Sequence, residues 1–243
     1  MTAYQELLRA IVQNPEDDGA RLAFAEEIRA SEPDRALFVE LQIEQARERR
    51  PVHVRASTNK DPLLVRHDDE WTRMLAKYVT YWRYDRGFVT RVTIDPHLFL
   101  EYGEWLMINA PIRHVWFSRP EDDDLPIAAL AESPLLDTLE GIHFMSDVTL
   151  DDGSLIALAE GGHLERLLDF GLHDRRPLGP AVYEAFAASA QTRKLLQFLA
   201  GPALEQKHGY LPWLHAENTC EPFDARYYVD RGILPVKSPG SRA

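Results

Sequence analysis

The stretch ALAESPLLDTLEGIHF at residues 129–144 recurs 28 residues later as ALAEGGHLERLLDFGL at residues 157–172. A further step of 28 residues reaches Ala185 and Phe198. Two shorter copies precede the first stretch, at steps of 27 and 23 residues. Five copies of one apolar pattern predict a repeat architecture, in which each copy is one structural unit.

Each copy combines two hydrophobic periods. The segment around Ile142 and Phe144 alternates apolar and variable residues, which is typical of a strand with one buried face. The segment at residues 151–161 places Leu155 and Leu158 at helical spacing, after aspartates that are suited to cap a first turn. A strand–helix unit buries its apolar faces by stacking on its neighbours. We therefore predict an α/β fold, with a parallel sheet inside an arc and helices outside it.

The strand pattern L-x-x-L-x-x-I-x-F at residues 136–144 resembles a leucine-rich repeat, and the 28-residue period is similar to the ribonuclease-inhibitor type. The resemblance covers about residues 88–201 and implies a short curved solenoid of about five units. That family usually carries an asparagine after the strand. The residues near that place here are Ser118, Ser146 or Asp147, and His173 or Asp174. We therefore expect looser turns than in a consensus array.

The N-terminal segment has helical periods that are interrupted at Pro15 and Pro33, which predicts two or three helices. The predicted apolar stripes are Tyr4, Leu7, Leu8 and Ile11; Leu22, Ala25 and Ile28; and Leu37, Phe38 and Leu41. The segment also resembles the repeat-companion domain that precedes leucine-rich repeats in some bacterial proteins. The residues that carry this resemblance are Asn14-Pro15, Asp17-Asp18, Arg21-Leu22-Ala23, Ala25, Arg35-Ala36, Phe38-Val39 and Leu41-Gln42. The family's usual Tyr-Ala-Asp-Trp-Leu run is replaced by FAEEI at residues 24–28, which leaves the helical period intact.

Four regions follow from these patterns. Residues 1–50 are predicted to form a helical cap, and residues 51–87 a linker loop and a helix. Residues 88–201 are predicted to form the repeat units, and residues 202–243 an irregular C-terminal cover and tail. The predicted linker helix contains Trp71, Met74, Leu75 and Tyr78. The nearby aromatic residues at 78–84 predict packing between cap and repeats, with a ligand-stacking box as the alternative.

Composition excludes several classes of protein. The net charge is −12, and residues 111–174 hold 14 acidic and three basic side chains, which argues against nucleic-acid binding. The single cysteine precludes an internal disulfide framework. We find neither a secretory signal nor an apolar run of membrane-spanning length, which predicts an acidic cytoplasmic protein that does not bind membranes. Known catalytic motifs are absent, so we predict a non-enzymatic protein without a cofactor.

Candidate binding residues lie at alternate strand positions that point away from the predicted core. The predicted partner-binding residues are Arg91, His114, Trp116, His143, Met145, Asp169 and His173. Tryptophan and arginine at the centre of such a surface are typical of hot spots for a protein partner. The sequence therefore predicts a protein–protein interaction module or adaptor that uses the concave sheet face. If the tail covers Trp116, this residue belongs to the core instead.

Two alternatives to an adaptor stay open at this level. The strand histidines with Asp169, or His215 with Cys220, are possible metal ligands, and they would make the chain a metal-binding protein or enzyme. The strand spacing does not obviously bring them to one point. The acidic run at residues 121–124 lacks the spacing of a calcium loop. The chain is alternatively a subunit of a larger assembly, contacted through its cap and tail.

Overall fold

The structure is a computed structural model that describes residues 2–48, 62–118, 125–173, 178–195 and 197–200. The helices are α1 Ala3–Gln13, α2 Asp18–Ile28, α3 Pro33–Glu48, α4 Pro62–Trp71, α5 Pro96–Asn109, α6 Ile127–Ala131, α7 Asp152–Glu160 and α8 Pro180–Ala188. The strands are β1 Val79–Asp85, β2 Phe88–Ile94, β3 His114–Phe117, β4 Gly141–Phe144, β5 Asp169–Leu172 and β6 Gln197–Ala200. Short 3₁₀ helices lie at Leu75–Lys77, Pro134–Thr138 and Gln191–Lys194.

The N-terminal segment forms three helices whose ends follow ordinary capping rules. Thr2 and Gln5 form a capping box at the start of α1. The Asp17 carboxylate accepts two backbone N–H groups at the start of α2. Pro33 opens α3, where the missing N–H of proline costs no helical hydrogen bond. The prediction of two or three helices here is confirmed.

The predicted apolar stripe of α3 is partly wrong. Leu37 and Leu41 are 43% and 37% exposed, whereas Phe38 is buried. The α3 residues that join the core of the helical segment are Ala36, Val39 and Ile43. Both stripes have helical spacing, so the period alone did not choose between them. The packing of α3 against α2 and against Phe88 of β2 decides which stripe is buried.

A β-hairpin follows α4, where the sequence predicted a helix through residues 71–78. The helix ends at Trp71, Met74 is 53% exposed, and β1 begins at Val79. β1 pairs antiparallel with β2 through a turn at Arg86 and Gly87, whose φ angles are 47° and 83°. Two positive φ angles are what a type I′ hairpin turn requires. The region at residues 51–87, which was predicted as a linker loop and a helix, therefore also contains the strand β1.

The six strands form one sheet in sequence order, and β2 to β6 are parallel. The successive partners are Val92, Val115, Ile142, Phe170 and Phe198. These partners are separated by 23, 27, 28 and 28 residues, which are the steps of the repeated pattern. The prediction that the strands are adjacent and parallel is confirmed, and the chain is an α/β protein.

One face of the sheet packs against the helices. Asp95 and Asp151 cap α5 and α7, and Pro180 starts α8. The aspartate cap of α7 agrees with the prediction. The buried faces of α5 to α8 share one hydrophobic cluster with the alternate strand residues. Five buried phenylalanines run through this cluster with ring centroids 5.0 to 5.9 Å apart: Phe99, Phe117, Phe144, Phe170 and Phe186. Such edge-to-face and tilted pairs add to the free energy gained by burial alone.

Within the described residues, no helix has both the length and the apolar character that a membrane crossing needs. The predicted C-terminal cover at 202–243, the acidic run at 121–124, His215 and Cys220 lie outside the described residues.

Candidate functional site

The face of the sheet opposite the helices, here called the polar face, carries most of the predicted binding residues. Strand register arranges them in two cross-strand rows. One row consists of Arg91, His114, Gly141 and Asp169, and the other of Thr93, Trp116, His143 and Gly171. His173 follows the last residue of β5. Because side chains alternate along a strand, the side chains of all these residues project from the same face of the sheet.

Two glycines make room for the histidines of the preceding strands. A Cβ atom on Gly171 would lie 2.2 Å from Nδ1 of His143, and one on Gly141 would lie 2.1 Å from Nδ1 of His114. Each imidazole therefore leans over the backbone of the next strand. This role of the two glycines was not predicted from the sequence. The available signal was a glycine one repeat after a histidine at the same register.

The aromatic rings of the polar face form a stack that crosses three strands. The rings of Trp116 and His143 are stacked, with centroids 5.0 Å apart and planes 27° apart. His173 lies against both rings, with centroid distances of 5.4 Å to each. The guanidinium carbon of Arg91 lies 5.1 Å from the centroid of the Trp116 ring, which is a cation–π contact. Four of the seven predicted residues thus belong to one cluster.

Hydrogen bonds connect the stack to Asp169. Nε2 of His143 lies 2.6 Å from Oδ2 of Asp169, and Nδ1 of His143 lies 3.2 Å from Nε2 of His173. An ionised carboxylate only accepts, so Nε2 of His143 donates to it. When both rings are neutral, Nδ1 of His143 accepts the N–H of His173. The hydrogen bonds to Asp169 on one side and to His173 on the other fix the orientation of the His143 ring. Carboxylates commonly orient histidines in this way.

The pKa of His173 is lowered, mainly because burial disfavours the charged imidazolium. The neighbouring His143 lowers the pKa of His173 further, and the carboxylate of Asp169 partly opposes both effects. His173 therefore favours the neutral form that donates one N–H to His143.

The residues of the polar face are more buried than expected for an exposed binding surface. Arg91 and His143 are only 6% and 2% exposed, whereas His114, Trp116, Met145 and His173 are half-buried. Nε1 of Trp116 and Oδ1 of Asp169 are buried and find no hydrogen-bond partner among the described residues. Unsatisfied polar atoms of this kind are costly, and they commonly mark places where function competes with stability.

The geometry does not fit a metal site built from the strand histidines. The two ring nitrogens of His143 face different partners, Asp169 and His173, so the three groups form a chain and do not surround one point. No group of three potential ligands that could hold a metal ion occurs within the described ranges. His114 leans over Gly141, in the other cross-strand row from His143.

The hairpin adds residues to the polar face that the sequence analysis missed. Tyr81 and Arg83 pair with Thr93 and Arg91 across β1 and β2, so they extend the two rows by one strand. Their alternation with Trp82 and Tyr84 was the available signal for a strand. The polar face thus presents a rigid aromatic centre flanked by cationic and anionic side chains.

Comparison of the chain with protein-family models, with curated proteins and with solved structures found no match.

Proposed function

We propose that this chain is a non-enzymatic protein–protein recognition module or adaptor that binds its partner through the polar face. The observation that carries the proposal is the stack of Arg91, Trp116, His143 and His173. Tryptophan and arginine dominate binding energy at protein interfaces, especially where their side chains are already ordered. Ring stacking and hydrogen bonds hold this cluster in one conformation, so little entropy is lost when a partner binds.

The hydrogen bonds of His143 favour recognition over catalysis. One ring nitrogen faces Asp169 and the other faces His173, so neither is left to act as a general base on a substrate. Among the described residues, the side chains paired with this imidazole are a carboxylate, a second imidazole and an indole, and none of them is a hydroxyl or thiol nucleophile. Arranged in this way, the cluster positions its side chains but does not activate one of them.

The proposal includes a leucine-rich-repeat-like solenoid with an N-terminal helical cap of the repeat-companion type. Its support is the agreement between the 27- and 28-residue sequence steps and the register of neighbouring parallel strands. Each of these steps contains one strand and one α-helix of the described chain. Stacked units of this kind present a continuous sheet surface to a partner. A cytoplasmic location in a bacterial cell belongs to the same proposal.

Truncation of the stacked tryptophan tests the proposal. We expect Trp116→Ala to lower the recovery of the physiological partner at least about tenfold in quantitative co-purification, because a central aromatic anchor is removed. The matched control is Ile108→Ala, which removes an apolar side chain that is 60% exposed on α5. This control should keep the full set of bound proteins.

Two results would contradict the proposal. Circular dichroism and the melting temperature must first show that Trp116→Ala is folded. An unchanged set of bound proteins for this folded variant would exclude the polar face as the contact surface. Cross-links that map only to α1, α2 and α3 would favour the alternative of an assembly subunit contacted through its N-terminal helices.

A further inference from the structure

A second candidate site lies between α4 and β1, away from the stack. The cavity there has a volume of about 350 Å³. Its lining includes Asp68, Asp69, Tyr81, Trp82 and Tyr84. This size is at the lower end of the range for pockets that hold small organic ligands. Tyr81 is 47% exposed, so part of its ring is available to a ligand.

Asp68 is held between two aromatic side chains. The indole N–H of Trp82 and the hydroxyl of Tyr84 each donate to Oδ1 of Asp68, both at 2.9 Å. Trp82 and Tyr84 are two residues apart in β1, so both side chains reach α4 from one side of the strand. Both donors use the same oxygen, which leaves Oδ2 to accept from a further donor.

The phenol of Tyr84 stays protonated at physiological pH. Burial and the negative charge of Asp68 raise the pKa of Tyr84, although the guanidinium of Arg35 opposes this. The Tyr84 hydroxyl is therefore a permanent donor to the carboxylate. Together with Trp82 it fixes Asp68 beside the cavity without neutralising the negative charge.

The charged groups around the cavity favour a cation. Asp68 and Asp69 supply two carboxylates. Arg66 is the basic residue of the lining, and its Nη1 lies 3.4 Å from the carboxylate of Asp34. Arg35 is enclosed by aromatic rings, with its guanidinium carbon 4.6 Å from the Trp71 ring centroid. Carboxylates combined with aromatic rings are the usual means of binding ammonium groups.

We propose that this cavity binds an alkylammonium group, either a small free amine or the primary or methylated side-chain amine of a lysine. The ammonium N–H groups or methyl groups approach Oδ2 of Asp68, and the aromatic side chains of the lining provide π-electron density beside the alkyl chain. The site is separate from the Arg91–Trp116–His143–His173 stack, because none of its lining residues belongs to that stack. Tyr81 is the residue that the cavity shares with the edge of the polar face.

The test follows the indole N–H of Trp82 in ¹H–¹⁵N NMR spectra while ligands are added to the full chain. The probes are n-butylammonium, choline and the neutral choline analogue 3,3-dimethyl-1-butanol. We expect a saturable shift with the two cations and at least about tenfold weaker binding of the neutral alcohol. Equal binding of the alcohol, or no saturable shift with either cation, would overturn the proposal.

Asp68→Asn separates the role of charge from that of shape. The amide oxygen still accepts from Trp82 and Tyr84, so the cavity is expected to keep its form while it loses one negative charge. We expect binding of the cations to weaken at least about tenfold. Glu132→Gln, which makes the same charge change at an exposed position after α6, should leave binding unchanged. Unchanged cation binding in a folded Asp68→Asn variant would refute the site.

A lysine-containing tripeptide with blocked ends distinguishes the two sources of the amine. Binding at least about tenfold tighter than that of n-butylammonium would identify a protein side chain as the ligand, and weaker binding would identify a small amine. Either result supports an alkylammonium site. Trp116→Ala should bind all of these probes like the wild type, so the two sites succeed or fail separately.

Discussion

The two faces of the parallel sheet differ in how far they repeat. On the helix side, Val92, Val115, Ile142 and Phe170 occupy equivalent positions, and all are at most 1% exposed. On the polar face, the equivalent positions carry an arginine, a histidine, a glycine and an aspartate in one row. Burial against the helices imposes the same requirement on every unit. The polar face is free of that requirement, so its side chains differ from unit to unit.

Loss of a phenylalanine from the helix side should have the largest effect on stability. Phe144 is fully buried and contacts the rings of Phe117 and Phe170. We expect Phe144→Ala to lower the free energy of unfolding by about 3–5 kcal/mol, through lost burial and a cavity. Urea unfolding measures this difference.

The neighbouring Met145 provides the control for this variant, because it is half-buried and follows the last residue of β4. Met145→Ala should cost about 1 kcal/mol or less. If the two variants lost equal stability, the proposed difference between the faces would be wrong.

Adding a methyl group to the polar face by substitution of Gly171 should have an intermediate effect on stability. We expect Gly171→Ala to cost about 1–3 kcal/mol, because its Cβ would lie 2.2 Å from the His143 ring, and that ring is already confined by Asp169 and His173. The near-ultraviolet circular dichroism of the stack should change as well.

Gly153→Ala is the matched control, since a Cβ there meets its nearest neighbour at 3.5 Å. This substitution lies in α7 and should be neutral or stabilising by about 0.5–1 kcal/mol, because alanine favours helices. A Gly171→Ala variant as stable as Gly153→Ala would show that the histidine does not depend on the glycine.

The dependence of stability on pH that arises from the polar face should be the smallest of these effects. The pKa of His173 is lowered in the folded protein, so the unfolded chain takes up a proton at a higher pH than the folded chain does. The contribution of His173 to stability is therefore full above the ordinary pKa of histidine and is lost as the pH falls through the lowered pKa. We expect His173→Gln to lose less stability between pH 7.5 and pH 5.5 than the wild type does, as measured by urea unfolding.

His97→Gln, which removes an exposed histidine from the first turn of α5, controls for the pH experiment. It should keep the wild-type loss of stability at acid pH. If His173→Gln also kept the full loss, the stack would not be a pH-sensitive part of the molecule.

Much of the helix side of the sheet could be predicted because its pattern is periodic. The spacing of Val115, Ile142 and Phe170 predicted both the strands and their neighbours, since a repeat places equivalent residues side by side. The hairpin strand β1 was missed because it lies outside the period and occurs only once. In α3 the local pattern favoured Leu37 and Leu41, but packing against α2 buried Ala36, Val39 and Ile43.

The amino-acid sequence alone determined the α/β class, the order of the parallel strands and the polar-face residues that these parallel strands contribute. Each of these follows from hydrophobic period, which reports burial along the chain. Only the tertiary structure decided that His143 meets both Asp169 and His173, that Gly171 gives it room, and that Trp82 and Tyr84 meet Asp68. These contacts depend on the rotamers and close approach of side chains from different strands and helices, which no local pattern records.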